Sequence, residues 1–119
     1  MSITLSDAKT TIEANGFSQG TVTSKVIEYT SARNGRILYL RVAQGFPIHA
    51  DIALHPEVDL SNLTPIADLA PHKNVFRYSS NMSKFPERVN TGKGPENYGK
   101  AFHARSVEAL AKVCMVYGA

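Results

Sequence analysis

The residues TVTSKVIEYT SARNGRILYL RVAQGFPIHA DIALH, numbers 21–55, hold three runs of strand character separated by two breaks. β-Branched residues crowd the first run (Thr21, Val22, Thr23, Val26, Ile27, Thr30), a composition that suits a pleated, half-buried surface. Asn34-Gly35 then offers two residues that tolerate positive φ, as a type I′ turn requires, and Ile37-Leu38-Tyr39-Leu40-Arg41-Val42 supplies the returning strand. Beyond Gln44-Gly45, Ile48, Ala50, Ile52 and Leu54 alternate with His49, Asp51, Ala53 and His55, which predicts a strand with one wet face, ended by Pro56. Strands at about 21–30, 36–43 and 47–55 with short connections predict an antiparallel meander whose apolar face is covered by helices.

Working outward, those helices are expected at the two ends of the chain. Thr4-Leu5-Ser6-Asp7 places a hydroxyl N-cap and an acid in a first turn, Leu5, Ala8 and Ile12 share one face, and Asn15-Gly16 closes a helix over about 5–15. From about 101 to 117, Val107, Leu110, Ala111 and Cys114 fall on one helical stripe stopped by Gly118. Residues 57–72 contain Pro65 and Pro71 and read as a covering loop with a helical turn or two. Residues 74–79 offer a fourth strand, with Phe76 and Tyr78 on one side and Val75 and Arg77 on the other. Pro86, Gly92, Gly94, Pro95 and Gly99 predict an irregular loop over about 80–100. The expected fold class is therefore α+β, one domain over residues 1–119.

A chain of 119 residues has the usual size of one domain and can bury a core without disulfides or a structural metal. With 43% hydrophobic and 19% charged residues it does not have the composition of a disordered chain. The single cysteine, Cys114, cannot form an internal bridge. The start, MSITLSDAKTT, shows neither a basic nor an apolar targeting region, and no run of eighteen apolar residues occurs, so the expectation is a cytoplasmic protein with no membrane partner.

Charge is unevenly placed. Residues 1–60 hold five Lys/Arg against six Asp/Glu, and residues 61–119 hold eight against four, giving −1 and +4. That asymmetry points to a polyanionic or acidic partner for the second half. Its centre is PHKNVFRYSS NMSKFPERVN TGKGPENYGK, residues 71–100, where Lys73, Arg77, Lys84, Arg88, Lys93 and Lys100 are interleaved with Phe76, Tyr78, Phe85 and Tyr98. Lys and Arg bind nucleic acid through counterion release, and exposed rings can stack on unpaired bases.

Three other patterns bear on chemistry. His49-x-Asp51-x3-His55 has the residue types of a metal site, but extended residues rise ~3.3 Å each, so His55 lies ~20 Å from His49 on a straight strand and one ion cannot reach both. A site would need His49 and Asp51 with ligands from elsewhere, such as His72 or His103. Gly94-Pro-Glu-Asn-Tyr-Gly99-Lys100-Ala101 matches the phosphate-binding G-x-x-x-x-G-K pattern but has Ala in place of the Mg²⁺-binding hydroxyl, and only 18 residues follow it, too few for the parallel sheet of a nucleotide hydrolase. A Gly-Lys step opening a helix still suits a backbone phosphate. No G-x-S-x-G nucleophile elbow is present.

The order helix, three antiparallel strands, helix is also that of double-stranded-RNA-binding domains. About 45 residues separate the third strand from the last helix here, however, and no Lys-Lys cluster opens that helix, so no membership follows. The expected function is non-enzymatic binding of nucleic acid or a nucleoprotein assembly through Lys73, Arg77, Lys84, Arg88, Lys93, Lys100, Arg105, Tyr78 and Tyr98. The alternatives are an inhibitor or adaptor that binds an acidic protein surface, and a metal-dependent hydrolase or nuclease centred on His49 and Asp51. No cofactor is expected, and an open strand edge leaves a homodimer as an option.

Overall fold

Thr4 opens the first helix by a reciprocal cap: the Asp7 N–H donates to Thr4 Oγ1 at 3.0 Å and the Thr4 N–H donates to Asp7 Oδ2 at 3.3 Å. The computed structural model describes residues 3–42, 50–79, 81–89 and 95–118. In chain order the elements are α1 (Leu5–Ala14), β1 (Phe17–Val22), β2 (Val26–Ser31), β3 (Ile37–Arg41), β4 (Ala50–Leu54), a 3₁₀ turn (Leu60–Asn62), β5 (Leu69–Tyr78), β6 (Glu87–Val89), β7 (Pro95–Ala104) and α2 (Val107–Tyr117). They form a single compact α+β domain. Its antiparallel sheet runs β1-β2-β3-β4-β7-β5, with β6 paired to the first residues of β7.

β1 to β4 pair in chain order as antiparallel neighbours, and this part of the sheet differs from the expected three strands by one further hairpin. A strand over 21–30 is expected, whereas the chain turns at Thr23, whose Oγ1 accepts the Lys25 and Val26 N–H groups at 3.1 Å each. This side-chain turn contains no Gly, Pro or Asn, which is why the β-branched run reads as continuous. The Asn34-Gly35 turn also differs from type I′. Gly35 has positive φ (74°) and Asn34 does not; Asn34 Oδ1 instead accepts the Arg36 N–H at 2.9 Å.

The chain departs furthest from expectation before α2; of the loop expected over 80–100, residues 80 and 90–94 lie outside the described residues. An irregular loop followed by a helix from 101 is expected, yet Pro95–Ala104 is a strand inside the sheet, paired to β4 on one edge and β5 on the other, and α2 starts only at Val107. Ser106 caps it, accepting the Ala109 N–H at 3.0 Å. Pro95 is the first residue of its strand, the place where a missing N–H costs least. β5 likewise begins at Leu69, inside the expected covering loop, and tolerates Pro71 because it is the edge strand with a register shift between Pro71 and Phe76.

Both helices lie on one face of the sheet. Ala8 and Ile12 of α1 and Leu110, Val113, Cys114 and Tyr117 of α2 pack on Ile27, Tyr29, Leu38, Leu40, Ile52, Leu54 and Phe102. Each fully buried Val, Leu, Ile or Phe among them contributes about 1.5–3 kcal/mol. The buried stripe of α2 is turned from the expected one: Val107 is exposed, while Val113 and Tyr117 are inside.

The alternation along the third strand predicts that the opposite face is wet. It is covered: residues 81–86 cross it as a strap that buries Met82 and Phe85 against Val26, Tyr39 and Ala53, and Asp51, beside Arg41 and His103, is only 2% exposed. Tyr39 pins the strap by accepting the Lys84 N–H at 3.0 Å while its hydroxyl donates to the buried Glu28 at 3.0 Å. Asn97 of β7 adds a bond from Nδ2 to the Phe85 carbonyl at 2.7 Å.

Candidate functional site

β7 is ten residues long, and only its second half pairs with β4; its first residues reach past the helix-covered core and pair with β6. Tyr78 lies directly opposite Tyr98, and Phe76 directly opposite Lys100, so these four side chains share the sheet face that carries Phe102 further along. The two tyrosine rings stack with centroids 5.8 Å apart at 23°, and Phe76 meets Tyr98 edge-on at 5.7 Å. All three rings are half-buried and stand outside the main core cluster.

Arg88 of β6 completes the patch. Its guanidinium carbon lies 4.7 Å from the Phe76 ring centre and 5.1 Å from that of Tyr98, and the residue is exposed. A cation over ring faces is held at modest cost in side-chain freedom, and the outer plane of the guanidinium remains a stacking surface. Arg88, Phe76, Tyr78 and Tyr98 thus form one continuous cationic and aromatic surface from three strands.

The remaining basic residues are dispersed. Lys84 is exposed on the strap, and Arg105 is exposed between β7 and α2, its N–H bonded to the Asp68 carbonyl at 2.8 Å. Lys100 does not open a helix as expected; it sits in mid-strand with Nζ 3.4 Å from the Val58 carbonyl. It also lies close to Asp59, whose carboxyl is held below the usual range first by hydrogen bonds from Ser61 and to a lesser degree by Lys100. Lys73 and Arg77 belong to β5, but their side chains lie outside the described residues, as does Lys93 altogether.

Of the candidate metal ligands, Asp51 and His103 are brought together. They are direct partners across β4 and β7, with His103 Nε2 4.0 Å from Asp51 Oδ2, and Arg41 Nη1 is 3.5 Å from the same oxygen. No motif in the sequence singles out Arg41; the β3–β4 register, with Leu40 opposite Ile52, brings it beside Asp51. His49 lies outside the described residues, and so does the side chain of His72. Among the described residues no three His, Cys, Asp or Glu side chains gather as a metal site.

The class these observations define is a single-domain α+β protein whose antiparallel sheet is backed by helices on one face and overhangs them at one end. No family model and no curated protein matches the chain. No helix among the described residues is long and apolar enough to cross a membrane.

Proposed function

We propose that the protein is a non-enzymatic binding protein that engages nucleic acid with unpaired bases through the overhanging end of its sheet. The observation that supports this reading is the contact of Arg88 with Phe76 and Tyr98 beside the stacked Tyr78 and Tyr98 rings. Sheet-borne rings accept bases irrespective of sequence, and an arginine among them meets the phosphate or stacks on a base. Lys84 and Arg105 add positive potential at a distance, and Lys73, Arg77 and Lys93 add charge on the same stretch of chain.

Fluorescence anisotropy of labelled single- and double-stranded DNA and RNA across a salt series tests it. Affinity for the single strands falls linearly in log salt, and Arg88→Glu lowers the slope by at least ~0.7. Tyr98→Ala weakens binding by about 1–3 kcal/mol, the usual worth of one stacked base. Absence of binding at low salt, or binding that both substitutions leave unchanged, overturns the proposal.

A further inference from the structure

A second site stands at the end of the sheet where the β2–β3 turn, the chain after β4, the strap and the last turn of α2 converge. They enclose an open cleft of about 420 Å³ whose lining includes Arg36, His55, Glu57, Lys84, Phe85 and Tyr117. That volume is within the usual range for small-molecule sites, ~300–1,000 Å³.

The walls are fixed by bonds that leave the cations free of carboxylates. Tyr117 Oη accepts the His55 N–H at 2.9 Å and donates to the Ile37 carbonyl at 2.6 Å, so this buried hydroxyl is fully engaged in joining α2 to β3 and β4. Arg36 lies over the Tyr117 ring, 5.5 Å from its centre, and donates from Nη1 to the Tyr117 carbonyl at 3.1 Å. A cation at a helix C-terminus is in favourable potential there, and the other guanidinium N–H groups remain for a ligand. Lys84 is held by its backbone N–H on Tyr39, which leaves its side chain unconstrained. Among the described residues neither Arg36 nor Lys84 forms an ion pair with a carboxylate.

The histidine is also oriented. His55 Nδ1 accepts the Glu57 N–H at 3.1 Å, which makes Nε2 the protonated nitrogen of the neutral ring, and the ring stands edge-on to Phe85 at 5.7 Å. Two cations and one histidine are thus set against the single carboxylate of Glu57, with Ile37, Val58 and Phe85 as apolar wall.

We infer that this cleft binds a small organic anion, its carboxylate or phosphate held between Arg36 and Lys84 and its apolar body against Val58 and Phe85. The site is separate from the Arg88 patch, so either can be right without the other. Phenyl phosphate and benzoate are the probes, titrated to about 10 mM, a ceiling corresponding to very weak affinity, into ¹⁵N-labelled protein while amide shifts are followed.

Saturable shifts confined to Gly35, Arg36, Glu57 and Lys84 are expected, with phenol as the uncharged control giving none. Lys84→Gln weakens the better probe about tenfold, equivalent to ~1.4 kcal/mol, while Arg88→Glu leaves it unchanged. The ratio of the two probes assigns the anionic group to a phosphate or a carboxylate. Non-saturating shifts spread over the surface, no shift with either probe, or an affinity unchanged by both Lys84→Gln and Arg36→Gln overturns the inference. Because Lys84 is exposed and its backbone bond is kept, loss of folding does not obscure the result.

Discussion

Gly99→Ala separates two explanations of the Gly99-Lys100 step. In the phosphate-loop pattern a glycine is needed so that backbone can approach a phosphate; in this fold it is needed because β4 and the strap leave no room. A Cβ on Gly99 would stand 2.7 Å from the Leu54 carbonyl oxygen and 2.8 and 2.9 Å from Cε2 and Cδ2 of Phe85. The carbonyl belongs to backbone in the β4–β7 pairing, where Leu54 faces Lys100, and cannot withdraw without disturbing the ladder. Phe85 is 3% exposed and edge-on to Tyr39 with ring centres 4.8 Å apart, so it has little space to turn.

The sign of the effect carries the information. At an unhindered strand position Gly→Ala stabilises by about 0.4–1 kcal/mol through the unfolded state. Overpacking a filled site costs about 1–3 kcal/mol, and here both neighbours must give, so a net loss of about 2 kcal/mol is expected. Urea denaturation reads this as a midpoint lowered by roughly 1 M at unchanged slope. Phe85→Leu in the same background removes one obstacle and leaves the carbonyl, so the double mutant recovers part of the loss, with a coupling of about 0.5 kcal/mol or more. A Gly99→Ala protein as stable as the parent, or more so, refutes the packing account.

Two further outcomes follow from groups already placed. Tyr117→Phe removes the partner of the His55 N–H and the Ile37 carbonyl, two half-buried groups at the cleft, at a cost of about 1–3 kcal/mol together, measured by the same denaturation; a loss below ~0.5 kcal/mol would show that water replaces the hydroxyl. Alkali should unfold the protein cooperatively: burial pushes the Cys114 thiol and the Tyr39 and Tyr117 phenols up to about 12, and raises Tyr29 further, with its Glu13 partner adding to the effect. These groups are uncharged when protonated and ionise first in the unfolded chain, so their contribution is complete below about pH 9 and is lost as pH rises towards about 12. Melting temperature and tyrosinate absorbance followed together check it, and tyrosinate from these three residues forming ahead of unfolding would contradict the burial argument.

What the sequence shows well is whatever its local chemistry decides. The Thr4–Asp7 cap and the apolar run of β3 belong to that class, since each rests on residues within a few positions of one another. Residues explained only by distant partners are not legible in this way. Gly99 and Pro95 look like loop punctuation until Phe85 and the strand start give each a reason, and Asn97 looks like a loop residue until its amide is seen bonded to the Phe85 carbonyl. The covered outer face could not be foreseen either, because Met82 and Phe85 come from a segment whose own pattern shows no period. In the basic stretch the types of residue were legible and their grouping was not: alternation within β5, β6 and β7 decides which cation meets which ring.

That grouping changes what a cation is worth. Lys100 has the charge a polyanion site needs, but its ammonium reaches the Val58 carbonyl near Asp59, so attracting a phosphate would mean giving up those neighbours. Arg88 makes no such trade among the described residues, because ring faces hold its guanidinium by the quadrupole and do not use its N–H groups. The rings are available for the same geometric reason: β7 outruns β4 and the helices, so the face that buries Phe102 in the core leaves Tyr98, four residues earlier, half in water. On its other face the same overhang holds the strap, through Asn97 and the Phe85 carbonyl, so the part of it that takes no share in covering the core is the face carrying Arg88, Phe76, Tyr78 and Tyr98.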